Sequence, residues 1–362
     1  MLQRTPLYER HKSAGAKLVD FAGWEMPVNY GSQIKEHEQV RSAAGLFDVS
    51  HMGVVDVSGA DALAFLRRLL ANDAARLKEP GQAFYTCMLN DAGGIIDDLI
   101  VYYLSEGRYR IVVNAARRTE DLDWMTGHAE QFDVRIRERA DAAMIAVQGP
   151  QAEQCLGHAV DARLEHRLAT LKPFRAMETG DWLIARTGYT GEDGFEVVLP
   201  ARSAVDLWDH LTAAGAAPCG LGARDSLRLE AGLHLYGQDM DTTTTPLESA
   251  LGWTVAWTPE DRDFIGRGAL EKQREAGVSR RLVGFVLEGR GVLRHGQTLN
   301  SEAGGAGEIT SGGFSPVLGC SIAMARIPAG DEGPWTVDMR GRALPVRRVK
   351  PPFVRNGQAF IN

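Results

Sequence analysis

The sequence is short of cysteine, of net positive charge and of long apolar runs, and each shortage excludes a class of protein. Its four cysteines, Cys87, Cys155, Cys219 and Cys320, stand far apart in 362 residues. None forms a C-x-x-C pair and no Cys/His spacing suits zinc, so neither a disulfide scaffold nor a zinc module is expected. A reduced, cytoplasmic compartment is the simpler expectation. The formal net charge of −7 argues against holding nucleic acid by phosphate neutralisation. A basic run near the end (Arg347, Arg348, Lys350, Arg355) reads as a solvated face. No apolar stretch approaches the roughly 20 residues of a membrane span. The opening segment has neither the apolar centre of a signal peptide nor the Arg/Ser-rich stretch of a transit peptide, so the protein is expected to work where it is made.

Several catalytic signatures are missing as well. There is no P-loop, no G-x-G-x-x-G after a strand, no H-E-x-x-H and no G-x-S-x-G. What remains is an ordinary globular composition, 44% hydrophobic and 24% charged. The length is enough for two or three domains.

The pattern along the chain mixes both secondary-structure periods. Residues 32–45 read as a helix capped by Ser32 and stopped by Gly45, and Leu63, Leu66 and Leu70 mark another over 60–70. Residues 84–89, 95–104 and 109–114 read as a β-meander, turning at Asn90–Gly94 and Ser105–Gly107. A helix is expected over 117–132, then strands over 134–139 and 143–147 and a break at Gly149-Pro150. A glycine-rich turn, Gly188–Gly194, leads into the strand 195–199, and helices follow over 204–214 and 221–231. From about Leu282 the chain shifts to short strands broken by glycine and proline, a separate all-β domain. The fold class expected is α+β.

Some residues sit oddly in these patterns. Asp97 and Asp98 interrupt an apolar strand on opposite faces, so at least one carboxylate is expected among apolar side chains. Glu196 interrupts the strand 195–199; it suits either a ligand edge with two adjacent donors or a cross-strand ion pair. Arg224 and Arg228 lie four apart on one helix face, a spacing that suits a bidentate carboxylate ligand or a solvated face laced with ion pairs. Tyr85, Tyr189, Trp253 and Trp257 gain meaning only if they surround one pocket. Of nine histidines, His51 alone stands out, with packing the expected role.

Read together, the segments Thr5-Pro6-Leu7-Tyr8, Phe21-Ala22-Gly23-Trp24, Phe47–Met52, Gly93–Ile100, Gly188–Glu196, Gly222–Gly232 and Thr310–Pro316 resemble the glycine cleavage T-protein family almost end to end. The resemblance implies a three-domain cloverleaf: two α+β domains around a folate pocket and a C-terminal all-β, barrel or jelly-roll-like domain. The expected boundaries are 1–48 plus 141–265, 49–140, and 266–362. It further implies an aminomethyltransferase that takes an aminomethyl group from the lipoyl arm of an H protein. Tetrahydrofolate is the one-carbon acceptor, and the products are methylenetetrahydrofolate, ammonia and the dihydrolipoyl carrier. The P and L proteins of the glycine cleavage system are then indirect partners through H, with no nucleic acid or membrane involved.

Carried over residue by residue, the resemblance places Asp98 beside the reacting folate nitrogens. There a fixed carboxylate stabilises the positive charge that develops as ammonia departs. Glu196 becomes the acceptor for the pterin donor edge. Met52, Tyr85, Val112, Asn114, Tyr189, Arg224, Trp253 and Arg294 line the folate pocket. H-protein docking is expected to use Arg347, Arg348 and Arg355, with the pocket mouth near Tyr236 and Asp239. Iron–sulfur maturation paralogues carry Lys-Gly-Cys where this chain has Arg262–Arg267 without cysteine. The sarcosine and dimethylglycine oxidases add a flavin domain for which this chain has neither length nor motif. A non-catalytic folate-binding module is the remaining alternative, and turnover with a lipoylated partner would distinguish it.

Overall fold

The computed structural model describes residues 2–361. The chain forms two compact units. One takes the chain through Phe65 with Ala75–Tyr85 and Leu99–Leu227; the other takes Leu66–Ala74, Thr86–Asp98 and the chain from Arg228 onward.

The first unit is built on a six-stranded sheet. Its order is Ala176–Thr179, Trp182–Ala185, Gly194–Pro200, Ala142–Gln148, Gly45–Asp48 and Ala217–Pro218. Both faces are covered, which is why the central strands read as unbroken apolar runs rather than as alternation. Phe195, Val197 and Leu199 join Ile145 and Val147 in a core with residues of helices Ala152–Ala159 and Ala201–Ala213. Val198 points the other way, into a second core with Met144, Ala146, Tyr102 and Val112. Glu196 shares that second face by strand alternation and stands opposite Ala146 on one neighbour and Ala185 on the other. Burying these two cores supplies the main driving force for this unit, about 25 cal/mol for each Å² of apolar surface removed from water.

The expected caps and breaks are met unevenly. Ser32 caps helix Gln33–Ser42, its hydroxyl accepting from the Lys35 amide at 3.4 Å. Gly45 does not stop that helix. The C-cap is Ala43, and Gly45 opens a fully buried strand where an added Cβ would collide with the Val40 and Cys219 side chains. Gly149 holds φ +126° with its Cα against the carbonyls of Val40 and Ala43, so the break there is steric as well as conformational. The helix expected over 117–132 runs only from Arg118 to Gly127, because the chain turns at His128 and the Phe132 ring leaves to pack against Phe65 at 5.5 Å.

The meander is present as Ala83–Leu89, Ile95–Ser105 and Arg108–Val113, followed in the sheet by Gly53–Ser58 and Arg135–Glu138. Its first two strands and their turn carry the chain from the first unit into the second and back. Within the second unit that turn is tied down: the Ile95 amide donates to the carbonyls of Asp241 (3.1 Å) and Thr244 (2.9 Å), and the Tyr236 hydroxyl donates to the Ile95 carbonyl at 3.0 Å.

Beyond helix Arg267–Ala276 and the loops before it, the second unit is dominated by a closed antiparallel barrel. Its strand order is Arg280–Leu287, Cys320–Pro328, Ala306–Ser315, Thr298–Ser301, Trp335–Asp338 and Ala343–Val349, the last pairing back to the first. Phe285, Leu299, Ile309, Ala323, Ala325 and Val337 fill the interior. Alternate residues Val286, Ile322 and Met324 cover Leu229 and Phe353 outside. The architecture is thus α+β with a C-terminal barrel. Among the described residues, no helix is long and apolar enough to cross a membrane. All four cysteines are free thiols.

Candidate functional site

The first unit gathers a polar cluster on the Glu196 face of its sheet. Glu196 is only 5% exposed. The Thr187 hydroxyl donates to its Oε2 at 2.6 Å, and the Tyr102 hydroxyl lies 3.2 Å from Thr187 Oγ1. Thr187 has a single proton and gives it to the carboxylate, so Tyr102 must be the donor in the second bond. The result is a short relay ending on one carboxylate oxygen, while Oε1 makes no hydrogen bond to the described residues. Burial pushes the Glu196 carboxyl upward, against the Thr187 hydrogen bond and the Arg224 charge. Among the described residues, the cross-strand ion pair considered for Glu196 is not formed.

Arg224 comes from helix Leu221–Glu230 and lays its guanidinium over the Tyr189 ring, 4.6 Å from the centroid. Its Nη1 is enclosed and has no hydrogen-bond partner. Burial lowers its pKa from the ordinary arginine value, opposed by Glu196 and Tyr189. Met52 packs against the apolar core that holds Tyr102 and Val112. The structure therefore brings Tyr189, Arg224 and Glu196 near one another, with Met52 and Val112 on the apolar core that also holds Tyr102. Tyr85 is half-buried on its strand, and Asn114 is half-buried where Arg108–Val113 gives way to a 3-10 turn.

Arg224 and Arg228 do not act as a pair. Arg228 is buried and consumed by structure: its Nη1 donates to Asp239 Oδ2 at 2.9 Å and its Nη2 to Ser311 Oγ at 3.0 Å. Asp239 is likewise fully buried, so it cannot stand at a pocket mouth. The basic tail is partly neutralised, with Arg347 3.6 Å from Glu288 and Arg348 paired to Glu332.

In the second unit, strand alternation separates the two aspartates. Asp97 is 0% exposed, whereas Asp98 is half-buried. The negative charge of Asp98, followed by that of Asp97, adds to burial in raising the Cys87 thiol. Cys87 Sγ also lies 3.7 Å from Thr254 Oγ1, in the 3-10 turn Gly252–Thr254 that presents Trp253, 67% exposed. Arg294 is exposed on the barrel, its amide donating to Gln297 Oε1 at 2.7 Å.

Three contributors are absent from the sequence reading: Thr187, Tyr102 and Gln148. Gln148 is fully buried, donates to the Thr187 carbonyl at 3.0 Å and accepts from Thr190 at 2.9 Å, bracing the glycine-rich turn. An added Cβ at Gly188 would collide with the Gln148 amide, which explains the glycine there. A glutamine ending an apolar strand beside Gly149-Pro150 was the available signal for Gln148. Among the described residues, no three His, Cys, Asp or Glu side chains are grouped to hold a metal ion.

The geometry is that of a carboxylate with one oxygen held by Thr187, near a guanidinium that has one unpaired nitrogen and stacks on a tyrosine. Residues 7–259 match the family described as the GCVT N-terminal domain, and residues 280–355 match the glycine cleavage T-protein C-terminal barrel domain. The chain belongs to the glycine cleavage T-protein family. It is 54% identical to an aminomethyltransferase of Nitrosococcus oceani, over 100% of this chain and 97% of the relative. It is 56% identical to one of Xanthomonas oryzae pv. oryzae, over 99% and 98% respectively. The crystal structure of glycine cleavage system aminomethyltransferase T from Bartonella henselae superposes with a TM-score of 0.91 at 38% identity, covering 98% of this chain and 99% of that one.

Proposed function

We propose that this chain is an aminomethyltransferase of the glycine cleavage system that delivers a one-carbon unit from the aminomethyl-lipoyl arm of an H protein to tetrahydrofolate. The observation that carries the reading is the state of Glu196. One carboxylate oxygen is held by Thr187 and Tyr102, and the other is open, next to a guanidinium with an unpaired nitrogen. A reduced pterin offers a ring N–H beside an amino group, and a carboxylate of this kind is its natural acceptor. Tyr189 and Arg224 form a stacked pair suited to the aromatic head, and Met52 and Val112 provide apolar wall.

In this reading tetrahydrofolate supplies the nucleophilic nitrogens that accept the carbon. Asp98 supplies fixed negative charge as ammonia leaves and the carbon becomes cationic. An ordinary aspartate, with a pKa near ~3.9, is a weak base, so positioning and electrostatics are its main contribution. The P and L proteins are partners through H alone. The test is formation of methylenetetrahydrofolate and ammonia from a lipoylated H protein charged with the aminomethyl group. With this chain present the two products are expected in equal amounts; ammonia release without methylenetetrahydrofolate would defeat the proposal.

A further inference from the structure

The relay on Glu196 has a fixed number of places for protons. The Tyr102 hydroxyl oxygen lies 3.2 Å from Thr187 Oγ1, and Thr187 Oγ1 lies 2.6 Å from Glu196 Oε2. Each of these two gaps holds one proton. Tyr102 brings one and Thr187 the other, so both gaps are filled while Glu196 is ionised. All three side chains are closed in: Tyr102 is 1% exposed, Glu196 5% and Thr187 7%.

A proton added to Glu196 therefore has no place inside the relay. If Oε2 carried it toward Thr187, a hydroxyl proton of Tyr102 or Thr187 would lose its acceptor in an enclosed site, which is costly. The residues opposite Glu196 on the two flanking strands, Ala146 and Ala185, have no polar side chain to take it. The added proton belongs on the side of the carboxylate turned from Thr187, where Oε1 makes no hydrogen bond to the described residues.

The relay is also preset. Gln148 Nε2 donates to the Thr187 carbonyl at 3.0 Å, and Gln148 Oε1 accepts from the Thr190 hydroxyl at 2.9 Å. Arg41 Nη1 donates to the Thr190 carbonyl at 2.8 Å from the other side of the turn. Tyr102 is fixed in the apolar core with Val54, Val112 and Met144. The cation that acts on Glu196 is Arg224, from helix Leu221–Glu230, and the second phenol nearby is Tyr189, stacked on that guanidinium. Burial, then the charge of Glu196, pushes the Tyr102 phenol up, so Tyr102 keeps its proton and remains the donor. Burial also pushes the Glu196 carboxyl up, against the Thr187 hydrogen bond and the Arg224 charge.

We infer that Tyr102 and Thr187 are positioning residues that decide how Glu196 meets its ligand: by filling the inner side of the carboxylate they send any added proton to the ligand side, so that a protonated Glu196 and a ligand edge with two donors exclude each other. The ionised carboxylate accepts from such an edge, whereas the protonated one sets a donor against a donor. This rests on the folate reading of the site and deepens it, because it ties pterin binding to one proton. A ligand that needs the ionised form keeps its affinity above the folded pKa of Glu196. It loses affinity as pH falls through that pKa, by about tenfold for each further pH unit.

The experiment is anaerobic titration calorimetry of tetrahydrofolate with the parent, Thr187→Val, Thr187→Ser, Tyr102→Phe and Glu196→Gln, from neutral pH down to the lowest at which each stays folded. The ligand's own titrations are common to all five proteins, so differences between them report Glu196. In the parent, log Kd should climb by about one per pH unit on the acid side, and Glu196→Gln should lack that limb. Thr187→Val removes the inner donor and should move the limb to higher pH by about one unit. Thr187→Ser keeps the donor and should leave it within about 0.3 unit. Tyr102→Phe removes the bond that polarises the Thr187 hydroxyl and should move the limb the same way by less. A merely structural role would raise Kd by one factor at every pH, and such parallel profiles in a folded Thr187→Val overturn the inference while leaving the folate reading intact. A parent profile with the shape of Glu196→Gln does the same. If Thr187→Val does not fold, Tyr102→Phe decides: an upward shift of the limb supports the relay, and an unmoved limb overturns it. Failure of the parent to bind tetrahydrofolate at any pH overturns both readings.

Discussion

Arg228 donates from Nη1 to Asp239 Oδ2 at 2.9 Å, with both side chains closed off from solvent. The same carboxylate oxygen accepts from Ser311 Oγ at 2.8 Å and from the Leu235 amide at 2.9 Å, and Oδ1 accepts from Thr310 at 2.5 Å. The pair joins the end of helix Leu221–Glu230, the loop after it and a barrel strand into one network. Breaking one partner leaves the other charge buried and uncompensated. Asp239→Ala is therefore expected to lower stability by about 3–5 kcal/mol, read from urea unfolding. Replacing both residues, as Arg228→Met with Asp239→Leu, should recover much of that loss; a double variant as unstable as the sum of the singles would contradict this account.

The two neighbouring aspartates should separate by phenotype. Asp98→Asn keeps size and removes the charge proposed to stabilise the departing-ammonia step, so turnover should fall by orders of magnitude while folate affinity and Tm change little. Asp97→Asn alters a fully enclosed carboxylate and should register chiefly in Tm. Reversal of the two effects in paired kinetic and melting measurements would mean that the catalytic charge is Asp97.

Glu196→Ala should weaken tetrahydrofolate binding by roughly 1.5–3 kcal/mol, the scale of charge-assisted hydrogen bonds. Thr187→Val should cost less. It leaves the carboxylate in place but removes the donor that holds Oε2 and the acceptor for Tyr102. Titration calorimetry gives the order; equal affinity in the parent and Glu196→Ala would remove the pterin-acceptor role.

Acid unfolding should include contributions from His51 and Asp48. His51 is depressed from 6.5 to about 4 in the folded protein. The unfolded chain therefore takes up its proton first, and stability is lost as pH falls through that window. Burial raises the Asp48 carboxyl, but the hydrogen bond and charge of His11, with the donors Thr5 and Ser50, hold it below its ordinary value. Its contribution is present above the unfolded pKa near ~3.9 and disappears as pH falls through the folded one. The upper limb of stability against pH should shrink in His51→Phe, with His234 still contributing, and the lower limb should shrink in Asp48→Asn; an unchanged slope between pH 6.5 and 4 in His51→Phe would contradict a buried neutral imidazole.

Much of the local structure was legible because its causes lie within a few residues. The Ser32 cap, the turn at Asn90–Gly94 and the glycine-rich approach to Glu196 rest on short-range sterics and hydrogen bonding. The shift to short strands after Leu282 was enough to announce a β domain, and the succession of family motifs carried the identity of the chain. Alternation also showed that Asp97 and Asp98 must face opposite ways. It could not show which face would be covered, because that depends on strands and loops far away in the sequence. Nor could it show that Glu196 would find Tyr102 through Thr187, a link across 85 residues from Tyr102 to Thr187. It also could not show that Arg228 would be claimed by Asp239 while Arg224, one turn earlier, kept a nitrogen unpaired. Sequence alone determined many of the local elements and marked the polar residues that sit oddly in them. Tertiary packing decided which of those residues are consumed by the fold and which remain open to a ligand, because burial and pairing belong to neighbours in space rather than along the chain.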